Sequence, residues 1–521
     1  MNFKKTILLS VIAFSTMAMG ATKPSKAQLA EWEEELTEIS ETQQEIAKHD
    51  GDDNLKWGAD LRTSYDNINY DLADGTSKGN DKLMSTRLWL KMKYSFSDKS
   101  TFIGQLSMNK TFGADFQSRA YSFGAITDWT TNEALADSSL KLREAYWLYR
   151  GESFLGTEMP WSVSVGRRPS VGTFLANLAQ DDEAASSLGH IMNAHVDALS
   201  LKVNFEDATG IPGMGLKFCA GIGSTNAEPL FTTATPYAND DDNLDGIKMA
   251  SVEFQVYNDS RFILKSQWYG GYNLPGADYD TTFTDAAGNI VPPGSATHIG
   301  YEPTDFQTYG DLQGFAISGL VDGITEEGYF SDAKVFASFG MSRTEPGSGQ
   351  SMLGSSEAEV GTSYWIGAYL PVGEENIYGT VGVEYNHGDK YWRPFTYAED
   401  TMIGSKVAVR GDAYEANYTY HFNEALSFQA RYVYADYDYA GSNGMFGSLS
   451  GTPYSIDEIK SENNEWNRLS NNGDPTNIAT IQSVAGLVGA DKATKLSQSA
   501  VIAPNLVESA QDVRVYLRYK F

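Results

Sequence analysis

The sequence predicts an all-β fold, a transmembrane antiparallel β-barrel of about 16 strands with a short N-terminal periplasmic helix, and three observations carry it. The first is the C-terminal stretch, in which Val513, Val515, Leu517, Tyr519 and Phe521 alternate with Arg514, Tyr516, Arg518 and Lys520. Side chains on a strand alternate with period two, so one face is apolar and the other basic. Closed into a barrel, such a strand puts lipid on one side and water on the other and leaves no backbone edge.

The second observation is that alternating segments recur near 55–65, 86–96, 101–109, 140–150, 161–168, 196–205, 214–222, 247–257, 261–270, 311–321, 333–343, 362–370, 378–387, 411–422, 426–436 and 512–521. Each is near the roughly 9–11 residues that a tilted membrane strand needs. The third is that short turns (97–100, 258–260, 423–425) alternate with long connections (110–139, 169–195, 223–246, 271–310, 437–511), as in barrels with short periplasmic and long external loops. Tyr418, Tyr420 and Phe422, followed by Leu426 and Phe428, fit an aromatic girdle at the membrane boundary.

At the other end, Lys4 and Lys5 precede the apolar run 7–14 and small residues at Ala18, Gly20 and Ala21. This pattern reads as a signal peptide over 1–20, cleaved between Gly20 and Ala21, and hence as export to the cell outer membrane. Residues 21–54 form the next unit and 55–521 the barrel. Leu29, Trp32, Leu36, Ile39, Gln43 and Ile46 are spaced three and four apart, a heptad seam that serves either a homo-oligomer or a single amphipathic helix. The residues Asp50 to Asn54 break it.

Composition narrows the function. Cys219 is the only cysteine, which excludes an intramolecular disulfide, multi-cysteine metal sites and c-type haem. The formal charge is -29, and loss of Lys4 and Lys5 with the signal makes it -31, so nucleic acid is not an expected partner. Acidic loops suit a solvated surface beside lipid and lipopolysaccharide, bridged by divalent cations. Phe521, Tyr519 and Leu517 form the expected signal for the barrel assembly machinery.

A barrel this wide encloses water, so function is sought in the lumen. Arg62, Arg87, Lys91, Lys93, Arg143, Arg167, Arg168, Arg514 and Arg518 are assigned to a basic lumen wall, with Glu384, Asp412 and Glu415 on the far side. Opposed walls would orient charged or dipolar solutes; the alternative is scattered charges paired with loop carboxylates. The 169–195 connection, with Asp181, Asp182 and Glu183, either folds inward as a constriction or lies outside as an acidic loop. The 437–511 connection exceeds ordinary loop length and carries Ile478, Ile481, Ala485 and Val488 at helical spacing, as for a lid, a plug or a surface-packed helix.

Asp241, Asn243 and Asp245 match the first half of an EF-hand calcium loop, but Val252 stands where its bidentate Glu belongs, which favours a solvated loop and no cofactor. His190 and His195 are five apart, the wrong spacing for one helix face. With no Ser-His-Asp constellation, an enzyme is not expected.

Three stretches, Arg143-Glu144-Ala145-Tyr146-Trp147, Val165-Gly166-Arg167-Arg168-Pro169-Ser170 and Trp392 to Asp400 continuing through Gly404-Ser405-Lys406, resemble domain-of-unknown-function family 3373, porin-like bacterial outer-membrane proteins. The resemblance spans nearly the whole mature chain and implies a porin-like barrel with no catalytic residues to carry over. The expected function is an outer-membrane porin for passive diffusion of small hydrophilic solutes or ions. Its rivals are a substrate-selective or gated channel and a non-transporting adhesin or envelope anchor; about 34 residues before the first strand are too few for the globular plug of an energised transporter.

Overall fold

The computed structural model describes residues 54–112, 140–170, 172–228, 238–373, 378–396, 401–441, 446 and 451–521. The signal peptide, its cleavage site and the 27–48 seam lie outside them.

Sixteen strands form the wall: β1 Leu55–Leu72, β2 Ser77–Ser95, β3 Ser100–Thr111, β4 Lys141–Gly151, β5 Trp161–Ser170, β6 Met192–Asn204, β7 Gly215–Ile222 and β8 Lys248–Asn258. They continue as β9 Phe262–Gly276, β10 Gln307–Asp322, β11 Lys334–Pro346, β12 Val360–Pro371, β13 Thr380–Gly388, β14 Gly411–His421, β15 Leu426–Tyr437 and β16 Val507–Lys520. Each pairs antiparallel with the next, and β16 closes the ring on β1 from Asp60↔Lys520 to Leu72↔Val507. All sixteen expected segments are strands. The closure extends to the last residue, since Phe521 N donates to Ala59 O (3.0 Å) and Ala59 N to Phe521 O (3.1 Å).

Period two then sorts the side chains. On β11, Phe336, Ser338, Ser342 and Thr344 are buried inside, while Phe339 and Met341 are exposed outside. Phe315, Ile317, Ile366, Val383 and Val513 are likewise exposed outside, an apolar surface that belongs in lipid. Aromatic rings border it at both ends. Tyr385, Tyr414 and Tyr434 lie side by side across β13–β15, and Tyr420 meets Phe422 edge to face at 5.1 Å.

Both described chain ends and the short turns share one end, the periplasmic end of such barrels. At the other end, the 438–506 connection builds three helices: α1 Ile456–Ser470, α2 Ile478–Val488 and α3 Ala490–Ile502. Ser455 caps α1, and Asn477 caps α2 by accepting from the amides of Ala479 and Thr480. Trp466, Val484, Ala493 and Leu496 form their common core, with Ile481, Ala485 and Val488 against it.

This cap is tied down at two places. Ile456, Ile459 and Ala503 pack on Ala73 and Ala440 beside β1 and β15. Across from them, a hairpin between β9 and β10 (Tyr279–Thr284 with His298–Pro303) receives Ile478 N on Thr297 O (2.9 Å) and donates Ile299 N to Thr476 O (2.8 Å). His298 Nε2 also lies 3.4 Å from Asp474 Oδ2. In a ring of sixteen, β9 is diametrically opposite β1, so the cap bridges the external mouth.

Candidate functional site

The connection after β5 runs inside the barrel. Its Phe174, Leu175, Leu188 and Ile191 are buried against Tyr269, Leu312, Ala316, Phe336 and Trp365 of β9–β12. Burying each such aliphatic or aromatic side chain is worth about 1.5–3 kcal/mol, and the inward faces of these strands are apolar enough to receive them. Polar contacts then fix the loop's course around the lumen. Ser187 Oγ donates to Glu253 (2.9 Å) and Leu188 N to Gln267 Oε1 (2.6 Å). His190 sits between Ser338 (2.8 Å) and Ser363 (2.9 Å), and Gln429 donates to Ala179 O (2.8 Å).

The acidic tip reaches the closing strand. Asp182 meets Arg518 (2.9 Å) and Lys520 (2.7 Å), Gln180 O accepts from Arg518 (2.8 Å), and Asp181 lies 2.8 Å from His421. The hydrogen bond with the His421 ring holds the Asp181 carboxyl below its ordinary range. Glu183 is exposed on the lumen cavity described below.

A second insertion, described over 389–396 and 401–410, fills the apolar side further. Phe395–Thr396 pairs parallel with Met192–Asn193, while Trp392 is fully buried, its indole donating to Val407 O (2.7 Å). The wall is shaped for it. A Cβ on Gly340 or Gly388 would lie 2.6 Å from the indole, and one on Gly361 would lie 2.2 Å from the Trp392 amide nitrogen. Lys406 from this insertion bridges Glu384 (2.6 Å) and Glu415, and Arg431 pairs with Glu415 (2.7 Å).

The assigned basic wall takes a different form in several places. Arg514 pairs with Asp66 (2.5 Å), Arg518 with Asp60 (2.9 and 2.5 Å), and Arg87 lies 3.5 Å from Asp60 and over the Trp89 ring. Arg62 stacks over Tyr516 and Arg143 over Trp89. Arg168 donates to Ser200 (2.9 Å), Lys91 faces the cavity, and Lys93 is exposed near the periplasmic mouth.

Arg167 is a correction: adjacent strand residues point to opposite faces, and it pairs outside with exposed Asp197 (3.5 Å). Asp412 is another. Three residues from Glu415, it falls on the outer face, where it accepts from Tyr385 (2.6 Å) and meets His387 (2.9 Å) in the aromatic border. Glu384 and Glu415 are not across the lumen either, because β13 and β14 lie only three and two places from β16 in the ring.

Sequence reading passed over Asp60, Asp66, Lys406 and Arg431. The first two share parity with Arg62, a signal present in the chain. Pairing of Lys406 and Arg431 with glutamates needed knowledge of where the 389–410 insertion goes.

Between the first loop and β2–β9 lies a cavity of about 530 Å³, lined by Lys91, Gln105, Glu144, Arg168, Lys217 and Glu253 among others, with Cys219 on its wall. A second, of about 350 Å³, lies by Ala59, His421 and Phe521 at the periplasmic end. Lys91, Gln180 and Lys520 line both, so the two are consecutive along the lumen.

In the outer loops, Asp241 spends its Oδ1 on the amides of Asn243 (2.8 Å) and Leu244 (3.3 Å), and Asp245 N donates to Thr308 (2.9 Å). Among the described residues, no three His, Cys, Asp or Glu converge as a metal site.

A closed sixteen-strand barrel with a loop folded across its lumen defines a porin-like protein. The chain belongs to the family described as protein of unknown function (DUF3373), whose model matches residues 77–474. No curated protein matches it. Among solved structures it is similar to an anion-selective porin from Comamonas acidovorans (9% identity, 90% of this chain and 99% of that one, TM-score 0.42). It is similar also to OprB of Pseudomonas putida (10%, 90% and 94%, 0.42) and OmpF of Salmonella typhi in complex with daunomycin (10%, 90% and 97%, 0.41). Likenesses this loose assign no cargo.

Proposed function

We propose that the protein is a channel of the Gram-negative outer membrane, exported by a cleaved signal peptide and inserted with the help of its terminal Phe521, through which small hydrophilic solutes or ions diffuse. The observation that carries this reading is the pair of consecutive cavities with charged residues in their linings, left between the inward loop and one side of the wall. A filled barrel built only as an anchor or adhesin has no use for charge-lined cavities of several hundred Å³.

The cap favours a gated form of the same reading, because it bridges two opposite sides of the mouth through few contacts. The test is conductance of the purified protein in planar lipid bilayers, intact and with 456–503 replaced by a short glycine linker. Small stepwise currents that grow on cap removal are expected. A correctly folded, heat-modifiable barrel that carries no current in either form would leave the adhesin or anchor reading.

A further inference from the structure

We propose that the larger lumen cavity recognises zwitterionic solutes of amino-acid to dipeptide size, with Lys91 taking the carboxylate, Glu144 the ammonium and Gln105 the polar backbone between them. The inference rests on the channel reading and adds the class of solute. Strand register aligns the three residues: Lys91 is opposite Gln105, and Gln105 is opposite Glu144. Directly opposed residues have Cβ atoms about 4.5–5.5 Å apart, so the row is roughly 10 Å long from end to end. All three side chains line the 530 Å³ cavity.

Of the other charges on this cavity, Lys217 pairs with Glu253 at 3.0 Å and Lys520 with Asp182 at 2.7 Å, Arg143 and Arg168 lie over the Trp89 and Tyr146 rings, and Glu183 is exposed. Among the described residues, Lys91 and Glu144 have no such ion pair; the contact Lys91 makes is with the Trp89 ring at 5.6 Å. Gln105 is 4% exposed, and its amide nitrogen has no hydrogen-bond partner. The same holds for the amide nitrogen of Gln267 on the facing wall, 1% exposed. A buried donor left unsatisfied is costly, so the row is built for a guest that brings acceptors.

The sign pattern selects the guest. An anion drawn to Lys91 would lie beside the Glu144 carboxylate, and a cation at Glu144 would lie beside the ammonium of Lys91. A solute carrying both charges satisfies both ends.

The experiment compares glycylglycine with N-acetylglycine and glycinamide, which keep one charge each, as blockers of KCl current through the full mature protein. Glycylglycine is expected to block at a concentration at least tenfold lower than either. Lys91→Gln and Glu144→Gln should each raise its half-blocking concentration at least tenfold. Equal block by the three probes, or glycylglycine block indifferent to both variants, overturns the zwitterion site while the current itself upholds the channel.

If no form of the protein conducts, the channel reading fails, and saturation-transfer NMR on the detergent-solubilised protein decides the site separately. Glycylglycine signals transferred in the wild type and lost in both variants support it. Their absence in the wild type overturns it.

Discussion

Strands β9–β12 and strands β16 round to β8 obey the same period-two alternation and yet enclose opposite interiors. The first group turns Tyr269, Leu312, Ala316, Phe336 and Trp365 inward, and two loop segments are packed onto them as in a soluble core. The second turns Asp60, Arg62, Arg87, Lys91, Gln105 and Arg518 inward, on the side where the two cavities lie. Inward polarity, then, decides which side of a wide barrel is filled. An apolar inner face costs free energy until something dry covers it, whereas a polar one is served by water and by its own ion pairs.

The filled side should break hardest. Trp392→Ala removes a fully buried indole from its glycine-lined socket and should lower stability by about 3–5 kcal/mol, read as an earlier loss of heat-modifiable barrel. If conductance also rises, the filled side guards the path; unchanged conductance would confine permeation to the polar side.

On the wet side, Arg518→Gln leaves Asp60 and Asp182 without their shared guanidinium. A cost of about 3 kcal/mol is expected, the lower end for a broken buried pair, because Asp182 faces the cavity and keeps Lys520 as a partner. Adding Asp60→Asn should recover part of it. No recovery would mean that Arg518 acts mainly through Gln180 and the loop tip.

Ion preference separates the two kinds of basic residue within that wall. Lys91→Gln should move the reversal potential in a salt gradient towards cations, whereas Arg514→Gln, whose charge is already opposed by Asp66 at 2.5 Å, should destabilise without moving it. Equal shifts from both would return the wall to a general basic surface.

The smallest effect concerns the cap. Burial raises the Asp474 carboxyl, but the Thr476 hydroxyl and amide and the His298 ring lower it more, so its pKa lies below the ordinary 3.8. Stability from this group is therefore complete above about pH 4 and is lost as pH falls through its lowered value. Protection of the Ile299 and Ile478 amides, relative to their intrinsic exchange rates at each pH, should fall at pH 3 compared with pH 6 while that of β11 amides holds. Equal protection at both would show that the backbone bridge alone holds the cap.

The strands were legible because each membrane strand announces itself through alternation and its neighbours follow in chain order. The outer reaches of β1 and β2 were not, since residues 66–85 run past the apolar band and carry no lipid-facing pattern. Inside the lumen, reading β1 by Arg62 alone passes over Asp60, Ser64 and Asp66, which share its parity and turn a wall of charge into ion pairs. The filled side left a trace as well: β11 and β12 each carry a large apolar side chain on either face, Phe336 with Phe339 and Trp365 with Ile366. What covers the inner face depends on contacts between distant loops, and no local pattern in 389–410 encodes its partners.

The bridge formed by the cap bears on how the molecule comes to be built. Ring neighbours β15 and β16 have the whole of 438–506 between them, so in the outer-membrane reading proposed above α1–α3 cross the bilayer in the step that joins β16 to β15 and β1. Because the helices bury Trp466, Val484 and Leu496 among themselves, they need no barrel to collapse upon once outside. Secretion of that segment and zipping of the final seam are then one vectorial event, in which the last residues of the chain engage the first strand only after the far side has been furnished.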